Sequence, residues 1–249
     1  MIWVIARREF GAMFLSPLAW VILAVIQTIL GYMFLTNLDN FFVLQPQLIQ
    51  LENSPGVTDV VITPLMQVAA IILLMVMPLL TMRSIAEEKR NRSLCLLMSS
   101  PLSMTEIVLG KFLGMMLFVI VLVSMLMLMP LSLYLGTSPD SGKLLSIYIG
   151  MLLLLGSFTA IGLYLSSLTE NQTIAAISTF GVLLMLWIID WVSASLSNGH
   201  SVLSYLSILQ HHQSMLEGVF DTSDIAYYLL LIFGFLVLTI RQLDRERLL

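Results

Sequence analysis

The feature that most limits the fold of this sequence is a series of six long apolar runs that carry almost no charge. A hydrocarbon core about 30 Å thick needs about 20 apolar residues for each helix that crosses it. Because runs of about this length take up roughly half of the 249 residues, no sizeable soluble domain remains. We therefore predict a single all-α domain of a polytopic membrane protein. Its six transmembrane helices are expected at about residues 18–36, 64–82, 112–134, 144–166, 173–196 and 226–241.

The amino-acid composition favours the same class. The chain is 59% hydrophobic and 10% charged, with a mean hydropathy of +0.98, whereas a soluble domain carries about 25% charged residues. The excess apolar surface must face lipid or buried partners, and we expect no nucleic-acid partner. The single cysteine, Cys95, excludes a disulfide framework.

The distribution of charge predicts the orientation of the six helices. If both termini are cytosolic, ten of the eleven basic residues lie on the cytosolic side and Lys143 lies outside. The reverse orientation would place those ten across the membrane, which the positive-inside rule disfavours. The predicted cytosolic set is Arg7, Arg8, Arg83, Lys89, Arg90, Arg92, Lys111, Arg241, Arg245 and Arg247.

Residues 2–15 precede the first apolar run and predict an amphipathic elbow helix in the cytosolic interface of the membrane. Its apolar side repeats at helical spacing: Trp3, Ala6, Phe10 and Met13. Arg7 and Arg8 lie toward the other side, near anionic lipid headgroups. The alternative is a frayed terminus that only orients the first span. Ser16-Pro17 then favours a helix start, with serine as N-cap and proline in the first turn.

Segment 82–114 is hydrophilic and holds five of the eleven basic residues and three acids. Two interpretations of its start stay open: span two continues into it, or a new helix begins at the capping box Ser84-x-x-Glu87. A short amphipathic coupling helix should follow and end at Ser100-Pro101. Its apolar residues are Leu94, Leu96, Leu97 and Met98.

Local signals also mark the third and second spans. Ser103-x-x-Glu106 is a capping box that should begin the third helix. Gly110 and Gly114 stand four residues apart there and would let another helix approach closely. Pro78 lies within span two and should bend it, as a static kink more than as a hinge.

The outer side is predicted to hold a loop over residues 37–63, followed by Thr63-Pro64 as the N-cap and proline of span two. The short turn 166–173 should join spans four and five as a hairpin. Residues 201–220 are too polar to span and should form short re-entrant or interfacial helices. Asp221-Thr222-Ser223-Asp224 then supplies N-cap chemistry for the last span.

The sequence contains none of the motifs that would make it an enzyme or an ATP-binding chain by itself. There is no G-x-x-x-x-G-K-[ST] phosphate loop, no H-E-x-x-H zinc motif and no G-x-S-x-G nucleophile elbow. We expect no catalytic residue, no metal and no cofactor in this chain. Any energy for transport must come from elsewhere.

A few polar residues on the predicted outer side form a candidate gate region. They are His211, His212, Glu217 and Asp190. Asp190 is the only acid within a predicted span, and structural pairing is the simpler interpretation. For the histidines, an interfacial or solvated position is more common than a metal site.

Four blocks of the chain resemble an ABC-2 type permease, particularly the gliding-motility and copper-processing branch. The blocks are ARREFGAMFLSPLAWV, MRSIAEEKRNRSLCLLMSSPLSMTEIVLGKFLG, GLYLSSLTENQTIAAISTFG and HHQSMLEGVFDTSDIAYYLLL. They occur in the order and at the spacing of the family, and they cover more than a third of the chain. The chain departs from the family at Arg92-Ser93, where Gly-Thr is usual, and at Cys95, where an acid is usual. These departures suggest a dedicated ATPase partner.

The resemblance implies the membrane subunit of an ATP-driven exporter in a bacterial inner membrane. Two cytosolic ATPase subunits would bind ATP and Mg, and a second permease subunit, a copy or a paralogue, would complete the complex. The coupling segment would dock into a groove of the ATPase. The residues expected to make this contact are Glu87, Glu88, Lys89, Arg90 and Arg92 for polar contacts and Leu94, Leu96 and Leu97 as an apolar plug; at the membrane interface we expect Trp3, Arg7, Arg8 and Phe10.

Two other functions were considered for the same sequence. The chain could be a non-transporting scaffold that transmits an ATPase-driven change to a periplasmic or accessory partner through its acidic outer face. An intramembrane enzyme is the weakest alternative, because the spans hold no nucleophile–base or metal constellation. The docking segment itself has a simpler interpretation as a solvated loop whose charges only fix the topology.

Overall fold

The computed structural model of this protein describes residues 1–48, 56–92, 103–137, 139–195 and 207–247, with backbone alone for 47–48 and 190–195. Within these ranges the chain is helical and has no strand. A π-helical turn, Thr58–Ile62, leads into α3, and a 3₁₀ turn, Leu133–Leu135, follows α5. The α-helices are α1 Ile2–Leu15, α2 Pro17–Leu48, α3 Thr63–Thr81, α4 Ala86–Arg90, α5 Met104–Ser132, α6 Ser141–Leu168, α7 Gln172–Ser195, α8 Ile208–Leu216 and α9 Thr222–Arg247.

Six helical segments in the described residues are long and apolar enough to cross a membrane, which confirms the predicted all-α class. The α6 segment is the centre of the bundle, since 72% of its apolar window is buried, compared with 22% for α2, α7 and α9. The bounds of the six are Pro17–Pro46, Thr58–Arg90, Met104–Leu135, Ser141–Leu168, Gln172–Ile189 and Thr222–Arg247.

The six apolar helices run between two ends of the bundle, and the polar segments of the chain lie at these ends. The terminal end, as we name it, carries α1, residues 82–92, the α6–α7 turn and the last turn of α9. The distal end carries the π-helical turn, the start of α6, and α8. Contacts within each end support this division: Lys111 pairs with Glu9 at the terminal end, and Lys143 pairs with Asp59 at the distal end.

The helix α1 packs against α5 at the two glycines that the sequence marked for close approach. A Cβ at Gly110 would lie 2.7 Å from the Cβ of Ile5, and a Cβ at Gly114 would lie 2.9 Å from the carbonyl oxygen of Ala6. Larger side chains would therefore push α1 away. The predicted close approach is confirmed, and the partner is the N-terminal helix.

The predicted outer loop 37–63 is wrong over residues 37–48, because α2 continues to Leu48. Asn37 and Asp39 are polar, but no proline or glycine occurs between residue 37 and Pro46. Phe41 lies two turns beyond Phe34 and is buried in the same core, so packing on one face holds the polar turns helical. At about 1.5 Å per residue, the 32 residues of α2 reach well past a hydrocarbon core.

The N-cap predicted at Thr63 is also wrong. The helical turns begin five residues earlier, at Thr58, and Thr63 is already helical without a capping hydrogen bond from its side chain. Its hydroxyl instead donates to the carbonyl of Thr58. The Asp59 carboxylate accepts the N–H of Gly56, so the helix start is organised by residues that sequence reasoning had assigned to the loop.

Several other local predictions agree with the structure. The Ser103-x-x-Glu106 capping box is formed in both directions. The Leu18 N–H donates to the Ser16 hydroxyl, and the Ser223 N–H donates to the Asp221 carboxylate. Only residues 169–171 separate α6 from α7, as expected for a hairpin. These signals are reliable because each involves residues within one turn of the other.

We predict that Gly162→Ala disturbs the packing of α6 on α3. A Cβ at this position would lie 2.6 Å from the Cβ of Thr81, which is fully buried. Overpacking of this kind lowers the free energy of unfolding by about 1–3 kcal/mol. The measurement is thermal unfolding of the purified protein in detergent.

The matched control is Gly181→Ala, because a Cβ at Gly181 has nothing within 4 Å. This variant should not be destabilised, and the higher helix propensity of alanine stabilises it by at most about 1 kcal/mol. Equal midpoints for the two variants would contradict the tight α3–α6 contact.

Candidate functional site

The predicted coupling segment begins with a break in the helix at the terminal end of the bundle. The helix α3 ends at Thr81, a turn covers residues 82–85, and α4 occupies Ala86–Arg90. Of the two open interpretations, a new helix after a break is correct. The predicted Ser84 cap is wrong, because the Ser84 hydroxyl has no hydrogen-bond partner among the described residues.

Ser166 from α6 makes the cap that Ser84 does not make. Its hydroxyl oxygen accepts the N–H groups of Ile85 at 3.2 Å and Ala86 at 3.0 Å, and it donates to the carbonyl of Met82 at 3.1 Å. One side chain thereby satisfies three backbone groups that the break would leave unpaired. The start of the coupling segment is fixed to the central helix of the bundle.

Lys111 joins the same segment to α1 and α5. Its ammonium lies 2.8 Å from Glu9, 2.8 Å from Glu88 and 2.8 Å from the carbonyl oxygen of Ser84. The three acceptors match the three N–H donors of a lysine, and the side chain is only 2% exposed. Arg8 adds a second positive charge 3.8 Å from Glu88. We call Lys111, Glu9 and Glu88 the lysine cluster.

Lys89 makes a second connection, to α6 and α9. Its ammonium contacts the carbonyl oxygen of Ser167 and the carboxylate of Glu246. Gln242, one turn earlier on α9, donates to the same carboxylate at 3.1 Å. The segment 82–90 is therefore held from two sides, by α1 and α5 through Lys111 and by α6 and α9 through Lys89.

The docking residues predicted from the sequence separate into two groups in the structure. Glu88 and Lys89 take part in the ion pairs within the chain. Glu87 is partly exposed, and Arg90 and Arg92 are exposed. The predicted apolar residues Leu94, Leu96 and Leu97 lie outside the described residues.

Arg92 has an unusual backbone conformation at the end of this segment. Its φ of 55° lies in the left-handed region, which a residue with a side chain adopts at a cost of about 1–2 kcal/mol. This is the position at which the family resembled by the sequence usually has glycine, the residue that adopts such a conformation without strain. The departure from the family pattern thus falls at a strained position.

The N-terminal helix uses its apolar residues differently from the prediction. Ala6 is fully buried, and Phe10 and Met13 pack against the core, so most of the predicted lipid-facing stripe contacts protein. Trp3 is 65% exposed. Arg7 and Arg8 are also exposed, which leaves a mixed aromatic and basic surface; its place at a membrane interface stays a prediction.

The distal end holds α8 against the bundle through polar contacts. His211 Nδ1 lies 2.6 Å from the Asp224 carboxylate, and its ring stacks on Tyr227 at 4.2 Å. Tyr228 donates to the carbonyl of Ile208 at 3.1 Å, and Ser146 donates to that of Met215 at 2.9 Å. The helix is thereby tied to both α6 and α9.

The structure does not bring Glu217 together with the two histidines of the predicted gate. His211 and His212 are buried residues of α8, whereas Glu217 is exposed at the end of this helix. Asp190 lies in α7, where the structure describes the backbone alone. The described residues contain no group of three or more potential metal ligands. The gating role stays a prediction.

His212 has the most unfavourable setting of the titratable groups at this end. It is fully buried, and neither ring nitrogen has a hydrogen-bond partner within the described ranges. Burial lowers the pKa of its imidazole to about 4. At the exposed start of α9, by contrast, the Ser223 backbone N–H holds the pKa of Asp221 below its ordinary value.

Sequence reasoning missed the pairing of Lys111 and Lys89 with Glu9 and Glu246. Lys111 does carry a signal, because a lysine eight residues into an otherwise apolar helix is expensive and is usually paired. Its partners, however, lie 102 residues before it and 23 residues before it in the chain, so no local pattern identifies them.

We predict that Lys111→Met strongly destabilises the protein. The substitution keeps the length of the side chain but removes the ammonium between two largely buried carboxylates. Removing one partner of a buried ion pair typically lowers the free energy of unfolding by about 3–5 kcal/mol. Circular dichroism during thermal unfolding in detergent measures the loss.

Arg7→Met is the control, since Arg7 is exposed on the same end of the bundle. It should leave the midpoint nearly unchanged. Adding Glu9→Gln and Glu88→Gln to Lys111→Met should recover part of the loss, because the unpaired charges are removed. A Lys111→Met midpoint equal to that of Arg7→Met would show that the cluster contributes little.

We predict that acid loosens α8. A neutral His212 in the folded state and a protonated one in the unfolded state give stability that is full above about pH 6.5 and falls as the pH approaches 4. At pH 5 the loss is about 2 kcal/mol. Hydrogen exchange of residues 208–216, corrected for intrinsic rates, should be faster at pH 5 than at pH 7.5.

His212→Leu serves as the control for this measurement, because it retains the apolar volume and removes the titrating group. Its exchange should respond less to pH than that of the parent. Equal pH dependence in parent and variant would mean that another group controls the docking of α8.

The comparison with protein families agrees with this architecture. The family described as "ABC-2 family transporter protein" matches residues 3–248, nearly the whole chain. The sequence has no match among curated proteins. Since the described ranges contain six apolar helices that could span a membrane, the protein is a multi-pass membrane protein. This chain belongs to the ABC-2 transporter family, whose members are membrane components that typically work with an ATP-binding subunit.

Proposed function

We propose that this chain is the membrane-spanning permease subunit of an ATP-driven exporter and that residues 82–92 begin its coupling segment. Family membership supports the general role. The observation that carries the assignment to this segment is its attachment to the bundle by Ser166, Lys111 and Lys89. A loop that served only to fix topology would not need such connections.

The attachments suggest how movement passes from the segment into the membrane. Glu88 and Lys89 are adjacent in α4, yet they pair with opposite sides of the bundle. A displacement of α4 therefore acts on α1 and α5 through Lys111 and on α9 through Glu246. Because buried ion pairs are costly to separate, these helices follow the displacement more easily than the contacts break.

Ser166 adds the connection to the centre of the bundle. Its bonds to Met82, Ile85 and Ala86 place the helix break directly against α6. The segment is thus attached directly to the most buried of the six apolar helices. Tilting α6 requires its neighbours to repack, which is the type of change that alternating access needs.

The exposed residues of the segment are the ones we assign to the ATPase contact. Glu87, Arg90 and Arg92 provide its polar part, with Leu94, Leu96 and Leu97 as the apolar plug proposed from the sequence. Glu88 and Lys89 support the segment from behind. This division refines the sequence-based proposal, in which all five charged residues faced the partner.

The proposed assembly contains two ATPase subunits, which bind ATP and Mg, and a second permease subunit that is a copy or a paralogue. The chain lies in a bacterial inner membrane with both termini cytosolic. Placement of the basic residues at the terminal end, with Lys143 at the distal end, supports this orientation. An accessory protein would contact the distal end.

We predict that Arg90→Glu combined with Arg92→Glu weakens association with the ATPase subunit at least tenfold. Both side chains are exposed, so the reversed charges act on the partner more than on the fold. Co-purification from mild detergent, with the ATPase identified by its phosphate loop, gives the measurement.

Arg7→Glu combined with Arg245→Glu is the matched control. It changes the net charge equally, and both positions are exposed at the terminal end. The control should retain the partner. Retention of the ATPase by both double variants, with normal thermal stability, would exclude residues 90–92 as part of the docking surface.

A further inference from the structure

A groove of about 400 Å³ lies at the terminal end between α1, the first turn of α2 and the end of α3 with α4. One part of its wall is apolar and comes from membrane-spanning helices as well as from α1: Met13, Leu18, Leu79 and Leu80. The other part is charged and includes Arg8, Arg83 and Glu87. The groove therefore has the two-part character of a site for an amphipathic molecule.

The charges in this wall are only partly used within the chain. Glu9 and Glu88 also line the groove, and the single charge of Lys111 behind them balances one of these two carboxylates. Arg8, 3.8 Å from Glu88, balances the other, but its side chain is 67% exposed and retains N–H donors for another group. Arg83 and Glu87, one positive and one negative, are the remaining charges, so the wall is neutral overall and suits a zwitterion.

Two charged side chains of the wall are available to an occupant. Among the described residues, Arg83 and Glu87 make no hydrogen bond or ion pair with another residue. Arg83 is exposed and Glu87 is partly exposed, so both side chains can reach a molecule in the groove.

We propose that the groove binds a membrane phospholipid with an amine-bearing headgroup. Its phosphate is held by Arg8 and Arg83, its ammonium by Glu87, and the start of an acyl chain lies on Leu79 and Leu80. Two guanidinium groups suit a phosphate, and the carboxylate of Glu87, on α4, gives a partner for the amine. Neither an anion alone nor an apolar molecule alone would use both parts of the wall.

The position of the groove favours a lipid over a protein loop. Leu79 and Leu80 belong to the last turn of the second membrane-spanning helix, and Leu79 is 44% exposed. A lipid reaches this surface by moving sideways in its own leaflet. A soluble partner would have to enter the apolar layer to cover the same leucines.

The test is native mass spectrometry of the full-length protein released from nanodiscs made of phosphatidylethanolamine, phosphatidylglycerol and phosphatidylcholine in equal amounts. The parent should retain phosphatidylethanolamine at least fivefold over phosphatidylcholine. Arg8→Ala combined with Arg83→Ala should lose most of the retained lipid. Arg7→Ala is the control, since Arg7 is adjacent to Arg8 but does not line the groove.

Glu87→Gln provides a second variant that conserves shape. It should retain total lipid while the preference for phosphatidylethanolamine over phosphatidylcholine falls toward one. Equal lipid retention by the parent and the Arg8 and Arg83 double variant would overturn the proposal. So would a preference for phosphatidylglycerol that Glu87→Gln strengthens, because the site would then be an anion site.

Association with the ATPase subunit is measured on the Arg8 and Arg83 double variant alone, because Glu87 is also assigned to the ATPase contact. Loss of the ATPase with unchanged lipid would assign the groove to the partner and overturn the proposal. Loss of lipid with the ATPase retained supports it. The lipid measurement does not require transport, so it stands or falls separately from the proposed exporter function.

Discussion

The organisation of the terminal end depends on one buried ammonium group. The Lys111 side chain is nearly inaccessible to solvent, and its three donors are taken by Glu9, Glu88 and the Ser84 carbonyl. A charge in such a position is stable only while every partner stays in place. The pairing therefore holds α1 against α5, stabilises the turn that follows Thr81 and positions α4. The proposed coupling role depends on all three of these contacts.

The fold could be predicted largely from the sequence, because its main determinants are local. An apolar run long enough to span a bilayer leaves little choice but a helix, since the backbone must satisfy its own hydrogen bonds there. The capping box at Ser103 and the cap at Asp221 involve neighbours in sequence. Errors arose where tertiary packing decided the outcome: Phe41 held polar turns of α2 in a helix, and Ser166 replaced the expected cap at Ser84.

The candidate site was predictable in its location but not in its contacts. The charge pattern identified residues 82–92 as the start of a candidate docking segment. In the structure, Ser166, Lys111 and Glu246 bind that segment to the helix bundle. Which charges face inward depends on residues far away in the chain, since Lys89 pairs with Glu246 and Lys111 pairs with Glu9. Composition alone cannot distinguish an exposed carboxylate from one that pairs with a buried lysine, and the neighbours Glu87 and Glu88 differ in this respect, since only Glu88 pairs with Lys111.

The left-handed backbone conformation of Arg92 places a small conformational strain at the end of α4. A glycine at this position could change its backbone angles in either direction with little resistance. Arginine favours one direction, because returning φ to negative values releases about 1–2 kcal/mol. A conformation in which this residue relaxes would gain that free energy, which corresponds to a factor of about 5 to 30 in population, so the backbone at the end of α4 resists a left-handed turn that glycine would accept freely.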